Sequence, residues 1–266
     1  MPLKKSLSQH LLRDKNLLNK LVRLTGIAPD DTVVEIGAGK GDLTRVLARH
    51  ARFVYAVELD RQFTPFLESL EREFENVQVI FGNALDISFA SLAQDRIDGK
   101  IKVIGNIPYH ITGDILFKVL DEMEHVTAAH FTMQKEVGER LVSKHCSRSY
   151  GALSVVFQLY ASIRLRMRLK PGLFIPPPEV ESVLVSIDFR EEMRRPDPEI
   201  IEFIHTCFRY KRKYLKHSLE GYYSADVVKS LYAHMGFPPS VRAEELEPHV
   251  YERMFAFLKE QVHGKQ

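Results

Sequence analysis

The sequence predicts an α/β protein: a mostly parallel sheet covered by helices on both faces, followed by a small all-helical domain. Three observations predict it. From Thr32 onward the chain repeats a strand, a turn and a helix, the pattern that builds parallel sheets. A glycine-rich loop, Gly37-Ala38-Gly39-Lys40-Gly41, falls between the first strand and its helix. Beyond Phe189 the strand signal stops and only helical periodicity remains.

The elements follow in order. Residues 4 to 12 form a basic, polar arm, and Asp14 caps a helix carrying Leu17, Leu18, Leu21, Val22 and Leu24. Gly26 and Pro29 close that helix. Seven apolar runs read as strands: 33–36, 53–57, 77–81, 101–104, 128–133, 163–169 and 183–189. The last two suggest a closing antiparallel hairpin. Helices are expected over 43–48, 61–73, 115–123, 135–142 and 151–159. Glu191 to Pro198 is charged and holds two prolines, so it reads as a linker. Single helices are expected over 199–219, 226–234 and 248–262. The domains are therefore 1–190 and 191–266.

Composition bounds the function. At 266 residues and 45% hydrophobic, the chain buries a sizeable core. A net charge of +2 does not announce a polyanion partner by itself. Cys146 and Cys207 are too few for a disulfide framework or a zinc site, and no metal is expected. No apolar stretch approaches the roughly 20 residues of a membrane span, and Met1 to Lys5 lead into no signal-peptide core. The expectation is a cytoplasmic protein with no membrane partner.

The glycine loop excludes two cofactors. A dinucleotide fingerprint needs a third glycine where Asp42 stands, and no Gly-Lys-Ser/Thr follows. Glu35 ahead of Gly37 and Gly39 suits a positively charged cofactor without a pyrophosphate, such as S-adenosylmethionine. Glu58, at the end of the second strand, is placed to accept from ribose hydroxyls. Asn83, after the third strand, is the candidate for the cofactor's adenine edge.

Asn106-Ile107-Pro108-Tyr109 ends the fourth strand, where open α/β sheets hold ligands. An adenine amino nitrogen is a poor nucleophile because its lone pair is delocalised. Accepting hydrogen bonds from both of its N–H groups favours a pyramidal nitrogen. The Asn106 side-chain oxygen and the Ile107 carbonyl are the acceptors, the latter aimed by Pro108. Tyr109 stacks on the base, which implies an unpaired or flipped nucleotide. Phe174, opening the proline-stiffened run Phe174 to Ser182, is either the second face of a base sandwich or a core residue.

Taken together these stretches resemble the KsgA/RsmA family of ribosomal RNA adenine dimethyltransferases. The resemblance rests on Gln9-His10-Leu11-Leu12 with Asp14, Glu35 to Gly41, Asn106 to Tyr109, Met133 to Val137 and Tyr150 to Ser154. It continues through Phe174 to Ser182, the basic segment Phe208 to Leu219, and Arg242-Ala243-Glu244. The resemblance implies a Rossmann-like S-adenosylmethionine-dependent methyltransferase domain with a seven-stranded sheet. It implies transfer of two methyl groups to each of two adjacent adenosines near the 3′ end of small-subunit (16S) rRNA. By position it makes His10, Leu12, Gly37, Glu58, Asn83 and Asn106 cofactor contacts. The family usually has aspartate at Asn83; asparagine keeps an acceptor oxygen there.

Arg209-Tyr210-Lys211-Arg212-Lys213-Tyr214-Leu215-Lys216 interleaves cations with aromatics. This points to RNA phosphate contacts by Arg209, Lys211, Arg212, Lys213 and Lys216, or else to a solvated helix face. Lys4, Lys5, Arg164, Arg166 and Arg168 are candidates to extend it. The expected partner is the small ribosomal subunit and the expected state a monomer. Rival functions are a catalysis-independent ribosome-assembly factor, a large-subunit rRNA adenine methyltransferase, and a DNA-adenine or protein-glutamine methyltransferase with an Asn-Pro-Pro-Tyr turn.

Overall fold

The structure, a computed structural model, describes residues 10–94, 99–192, 195–210 and 213–263. It separates into two compact units, one holding Met1–Gly138 and Ser162–Arg195, the other Glu139–Ala161 and Pro196–Gln266.

The first unit begins with β1 (Leu11–Leu12) and α1 (Lys15–Thr25). Asp14 caps α1 by accepting from the Leu17 amide at 2.8 Å, and Gly26 ends it in the left-handed region at φ 69°. Then come β2 (Thr32–Ile36), α2 (Asp42–Leu47), β3 (Phe53–Glu58), α3 (Thr64–Glu73), β4 (Val77–Phe81) and α4 (Phe89–Gln94). They lead to β5 (Ile101–Asn106), α5 (Thr112–Asp121), β6 (Val126–Gln134) and α6 (Lys135–Val142). After α7 (Ala152–Tyr160) the sheet is completed by β7 (Ala161–Leu169) and β9 (Ser182–Phe189), with β8 (Phe174–Ile175) between them in the chain but outside that sheet.

The seven-stranded sheet has the order β4-β3-β2-β5-β6-β9-β7. The pairs β2–β3, β3–β4, β2–β5 and β5–β6 are parallel, and β9 joins β6 antiparallel. From β2 the chain winds one way through β3 and β4, then returns to β5 on the other side. The carboxyl ends of β2 and β5 therefore flank the switch point, where such sheets open a crevice. Their register sets Ile36 beside Gly105, which brings the glycine loop against Asn106.

Helix α4 is not among the expected helices, and two further differences from the sequence reading bear on the site. Strand β5 runs on to Asn106, so that residue belongs to the sheet's edge and not to a free turn. A second, two-stranded sheet pairs β1 with β8, Leu11 opposite Ile175 and Leu12 opposite Phe174. Two-residue strands carry no periodicity from which to read them.

In the helical unit α7 is joined by α8 (Pro198–Cys207), α9 (Leu215–Leu219), α10 (Ala225–Met235) and α11 (Pro248–His263). The segment 139–161 clusters here and not with the residues before it, which differs from a boundary at 190. Tyr150 shows why: it is buried, and its hydroxyl donates to the Leu246 carbonyl at 2.9 Å. The single helix expected over 199–219 is also corrected, since α8 ends at Cys207. Phe208 instead turns its ring onto Tyr251 at 5.8 Å and edge-on to Tyr150 at 6.1 Å. A continuous helix gives up that packing.

Candidate active site

The switch point opens into a cavity of about 300 Å³, at the small end of the range that encloses a small molecule. Its polar wall is built from His10, Glu58, Asn83 and Asn106, and its apolar wall includes Leu11, Ile36, Val57, Phe63 and Ile111.

The glycine loop makes the cavity's floor. Gly37, Gly39 and Gly41 all have positive φ (77°, 55° and 78°), a conformation that strains side-chain-bearing residues. At Gly39 a Cβ falls 3.0 Å from Leu11 Cδ2, so a side chain there intrudes between the loop and the arm. The floor is a cradle that a Cβ fills, which suits backbone approach by a ligand.

Glu58 ends β3 with its carboxylate buried. Its Oε2 accepts from the Gly39 amide at 2.7 Å and its Oε1 from the Asp60 amide at 2.7 Å. Burial raises its pKa above the ordinary carboxylate value, opposed by those amide bonds. Each oxygen keeps a further lone pair for hydroxyl donors. Asn83 faces the cavity, with its Oδ1 accepting from the Leu85 amide at 3.2 Å. That bond fixes the turn and leaves one lone pair toward an exocyclic amine.

Asn106, Pro108 and His110 line the opposite rim. The Asn106 Nδ2 donates to the His10 carbonyl, which commits the nitrogen and frees Oδ1. Ile107 is buried, and its amide donates to the Thr132 carbonyl at 3.0 Å. The turn is therefore pinned to β6 while its own carbonyl stays available. The Tyr109 hydroxyl shares a 2.7 Å hydrogen bond with Ser182 Oγ. On the ring side, His10 stacks against Tyr109 at 5.6 Å, and its Nδ1 donates to the Pro176 carbonyl at 2.7 Å.

Three expected residues take other roles. Phe174 is not a wall of a base sandwich: it is 2% exposed and packs in the core with Leu12, Leu18 and Leu184. Leu12 belongs to that same core, and its neighbour Leu11 lines the cavity instead. Successive strand residues point to opposite faces, so only one of the two can do so. Glu35 lies outside the cavity wall, 2% exposed, accepting from Thr44 Oγ1 at 2.5 Å. Burial pushes its pKa up to about 8; it ties β2 to α2 and does not face a cationic ligand. Ser182 enters the sequence reading only as the end of the Phe174 to Ser182 run; its role in holding Tyr109 leaves no signal in a lone serine.

Of the basic segment, Arg209, Lys213 and Lys216 lie in the helical unit without a carboxylate partner among the described residues. Lys211 and Arg212 lie outside the described residues, as do Lys4, Lys5 and Gln9. Arg164 is neutralised by a carboxylate, whereas Arg166 meets a neutral hydroxyl and keeps its charge. The first pairs with Asp188 at 2.5 Å, and the second donates to Ser186 Oγ at 3.0 Å. No described helix is long and apolar enough to cross a membrane.

Residues 2–260 match the family model described as ribosomal RNA adenine dimethylase. A "Ribosomal RNA small subunit methyltransferase A" from Syntrophus aciditrophicus (strain SB) is 36% identical over 249 residues, covering 91% of this chain and 89% of the relative. Its counterpart from Mycoplasma mobile is 34% identical, covering 95% and 96%. Among solved structures, a dimethyladenosine transferase from Plasmodium falciparum aligns with a TM-score of 0.82 at 22% identity, covering 96% of this chain and 98% of that one. The 23S rRNA methyltransferase ErmE aligns at 0.70 and 24% identity, covering 94% and 99%. At those identities the two structures speak to the fold, which both share.

Proposed function

The chain belongs to the ribosomal RNA adenine dimethylase family, and from that premise we propose that it dimethylates N6 of two adjacent adenosines near the 3′ end of small-subunit rRNA. It is a methyltransferase that uses S-adenosylmethionine. The observation that carries the proposal is the meeting of the Gly37 loop and Asn106 at one switch point, inside one cavity. Small-subunit relatives matching more than nine-tenths of the chain favour that substrate over large-subunit RNA.

The cavity fits the cofactor by its glycine cradle, its buried carboxylate and its apolar wall. His10, Gly37, Gly39, Glu58, Asn83 and Asn106 would hold it, with Glu58 at the ribose hydroxyls and Asn83 at the adenine amine. When bound, the cofactor supplies an electrophilic methyl group on a sulfonium. The chain's own residues present the nucleophile. Asn106 Oδ1 and the Ile107 carbonyl accept from the two N–H groups of the target amine, and its lone pair is then directed away from the ring. Tyr109, braced by Ser182, supplies the stacking face. Methylation itself makes the nitrogen acidic, so no side chain with a tuned pKa is needed to remove the proton. Orientation supplies most of the rate gain.

Arg209, Lys213 and Lys216 in the helical unit position the RNA through its phosphates. The enzyme works as a cytoplasmic monomer on the assembling small subunit. One chain carries both the methyl-transfer cavity and the basic segment, which supports that reading.

The test uses labelled S-adenosylmethionine with unmethylated small subunits, large subunits or DNA, followed by digestion and nucleoside analysis. Dimethyladenosine from small-subunit RNA alone is the expected result. Label in large-subunit RNA or DNA overturns it.

A further inference from the structure

The exposed large apolar side chains in the described part of the helical unit are three tyrosines close together in sequence: Tyr210, Tyr214 and Tyr222, at 44%, 40% and 52% exposure. These three rings stand out of the core, whereas Tyr150 and Tyr251 are buried. Each exposed ring carries a cation. The Arg209 guanidinium lies 5.9 Å from the Tyr210 centroid and 5.8 Å from that of Tyr222, and donates to the Tyr222 hydroxyl at 2.7 Å. Lys213 Nζ stands 5.1 Å from the Tyr210 ring. Arg242 lies 5.9 Å from the Tyr214 ring, against which His217 stacks at 6.3 Å and 18°.

Cations alone would serve a duplex backbone. Cations holding exposed, oriented rings serve something with π-faces of its own. In a duplex the bases are stacked on one another and are closed to such rings; in an unpaired strand they are open.

We propose that Tyr210, Tyr214 and Tyr222 are stacking platforms for unpaired RNA bases, a binding site separate from the target-adenine cavity. Arg209 and Lys213 brace the rings and meet the adjoining phosphates, while Arg242, paired with Glu244 at 3.9 Å, braces Tyr214. The site recognises single-stranded RNA flanking the methylated adenosines, whatever its sequence, since every base has a π-face. This deepens the RNA-binding reading above and rests on it.

The experiment measures binding of the full chain to a 12-nucleotide oligoadenylate and to a fully paired RNA duplex, across a salt series. Tyr210→Ala, Tyr214→Ala and Tyr222→Ala each weaken oligoadenylate binding on the order of tenfold. They leave duplex binding and the slope of log Kd against log salt unchanged. Tyr210→Phe and Tyr214→Phe retain parental affinity, which separates stacking from a hydroxyl contact or a folding defect. Arg209→Gln and Lys213→Gln instead flatten the salt slope by roughly 0.7 each. Unchanged oligoadenylate binding in the three alanine variants overturns the proposal, as does equal loss on the duplex or failure of the phenylalanine variants to bind. Methyl transfer to small subunits is scored separately, so a wrong substrate shows as absent label while the tyrosine dependence persists.

Discussion

The side-chain amide of Asn106 donates to the backbone carbonyl of His10, a residue 96 positions earlier in the chain. That bond fixes both partners: it holds His10 at the cavity wall and it decides which end of the amide faces the target nitrogen.

Replacing Asn106 separates the two effects. Asn106→Ala removes the acceptor, and transfer to RNA is expected to fall below detection while RNA binding stays nearly intact. Asn106→Asp keeps an acceptor but sets an oxygen against the His10 carbonyl. The lost donor and the repulsion weaken cofactor binding by about 5- to 150-fold, corresponding to about 1–3 kcal/mol. Titration calorimetry with S-adenosylmethionine reads the second effect, and equal affinity in Asn106→Asp contradicts it.

Glu58→Gln tests the ribose site. The substitution turns an amide N–H toward one of the two backbone donors that Glu58 now accepts. Cofactor affinity is expected to fall at least tenfold. Because burial raises the Glu58 pKa, the parent should lose affinity as pH falls toward that raised value and the carboxylate protonates. The glutamine variant should show no such loss. Parallel pH profiles for the two proteins count against the assignment.

Two buried groups tilt stability with pH in opposite directions. Burial raises Glu35 to about 8 and lowers His130 to about 4. Between pH 4.5 and 8 the native state holds the Glu35 proton more tightly than the unfolded chain, so its contribution is lost as pH rises. Below 6.5 the unfolded chain binds the His130 proton and the native state does not, so stability is lost as pH falls toward 4. Of these two groups only Glu35 acts between 6.5 and 8. Glu35→Gln is therefore expected to flatten the unfolding midpoint in that window, with a gain of a few kcal/mol at its upper end. A slope unchanged from the parent refutes it.

Gly105→Ala tests the close approach of β2 and β5. An added Cβ falls 2.5 Å from the Ile36 carbonyl oxygen, a backbone atom that cannot swing aside. Destabilisation of about 1–3 kcal/mol is expected, together with weaker cofactor binding as the strand ends separate. Thermal unfolding with and without S-adenosylmethionine measures both.

The site was legible where chemistry and strand order coincide. Asn106, Glu58 and the Gly37 loop each end or follow an apolar run, and sheet topology forces such ends together. What stayed hidden depends on non-local pairing. Leu11 and Leu12 look alike in sequence, and only the two-residue pairing with Ile175 and Phe174 decides which one faces the cavity. Phe174 opens a motif-like loop, yet a large ring beside Leu12 and Leu18 is better buried than stacked on a passing base. The helix break at Phe208 is likewise set by Tyr150 and Tyr251, both far away in sequence.

The pairing of Leu11–Leu12 with Phe174–Ile175 also fixes an order of events during synthesis. Translation at about 5–20 residues per second delivers the arm on the order of ten seconds before its partner strand exists. Until then Leu11 has no strand to hold it over the glycine loop. A growing chain therefore carries the loop, Glu58 and Asn106 well before it can close a cavity around a methyl donor, and competence for the cofactor arrives late in the protein's own making.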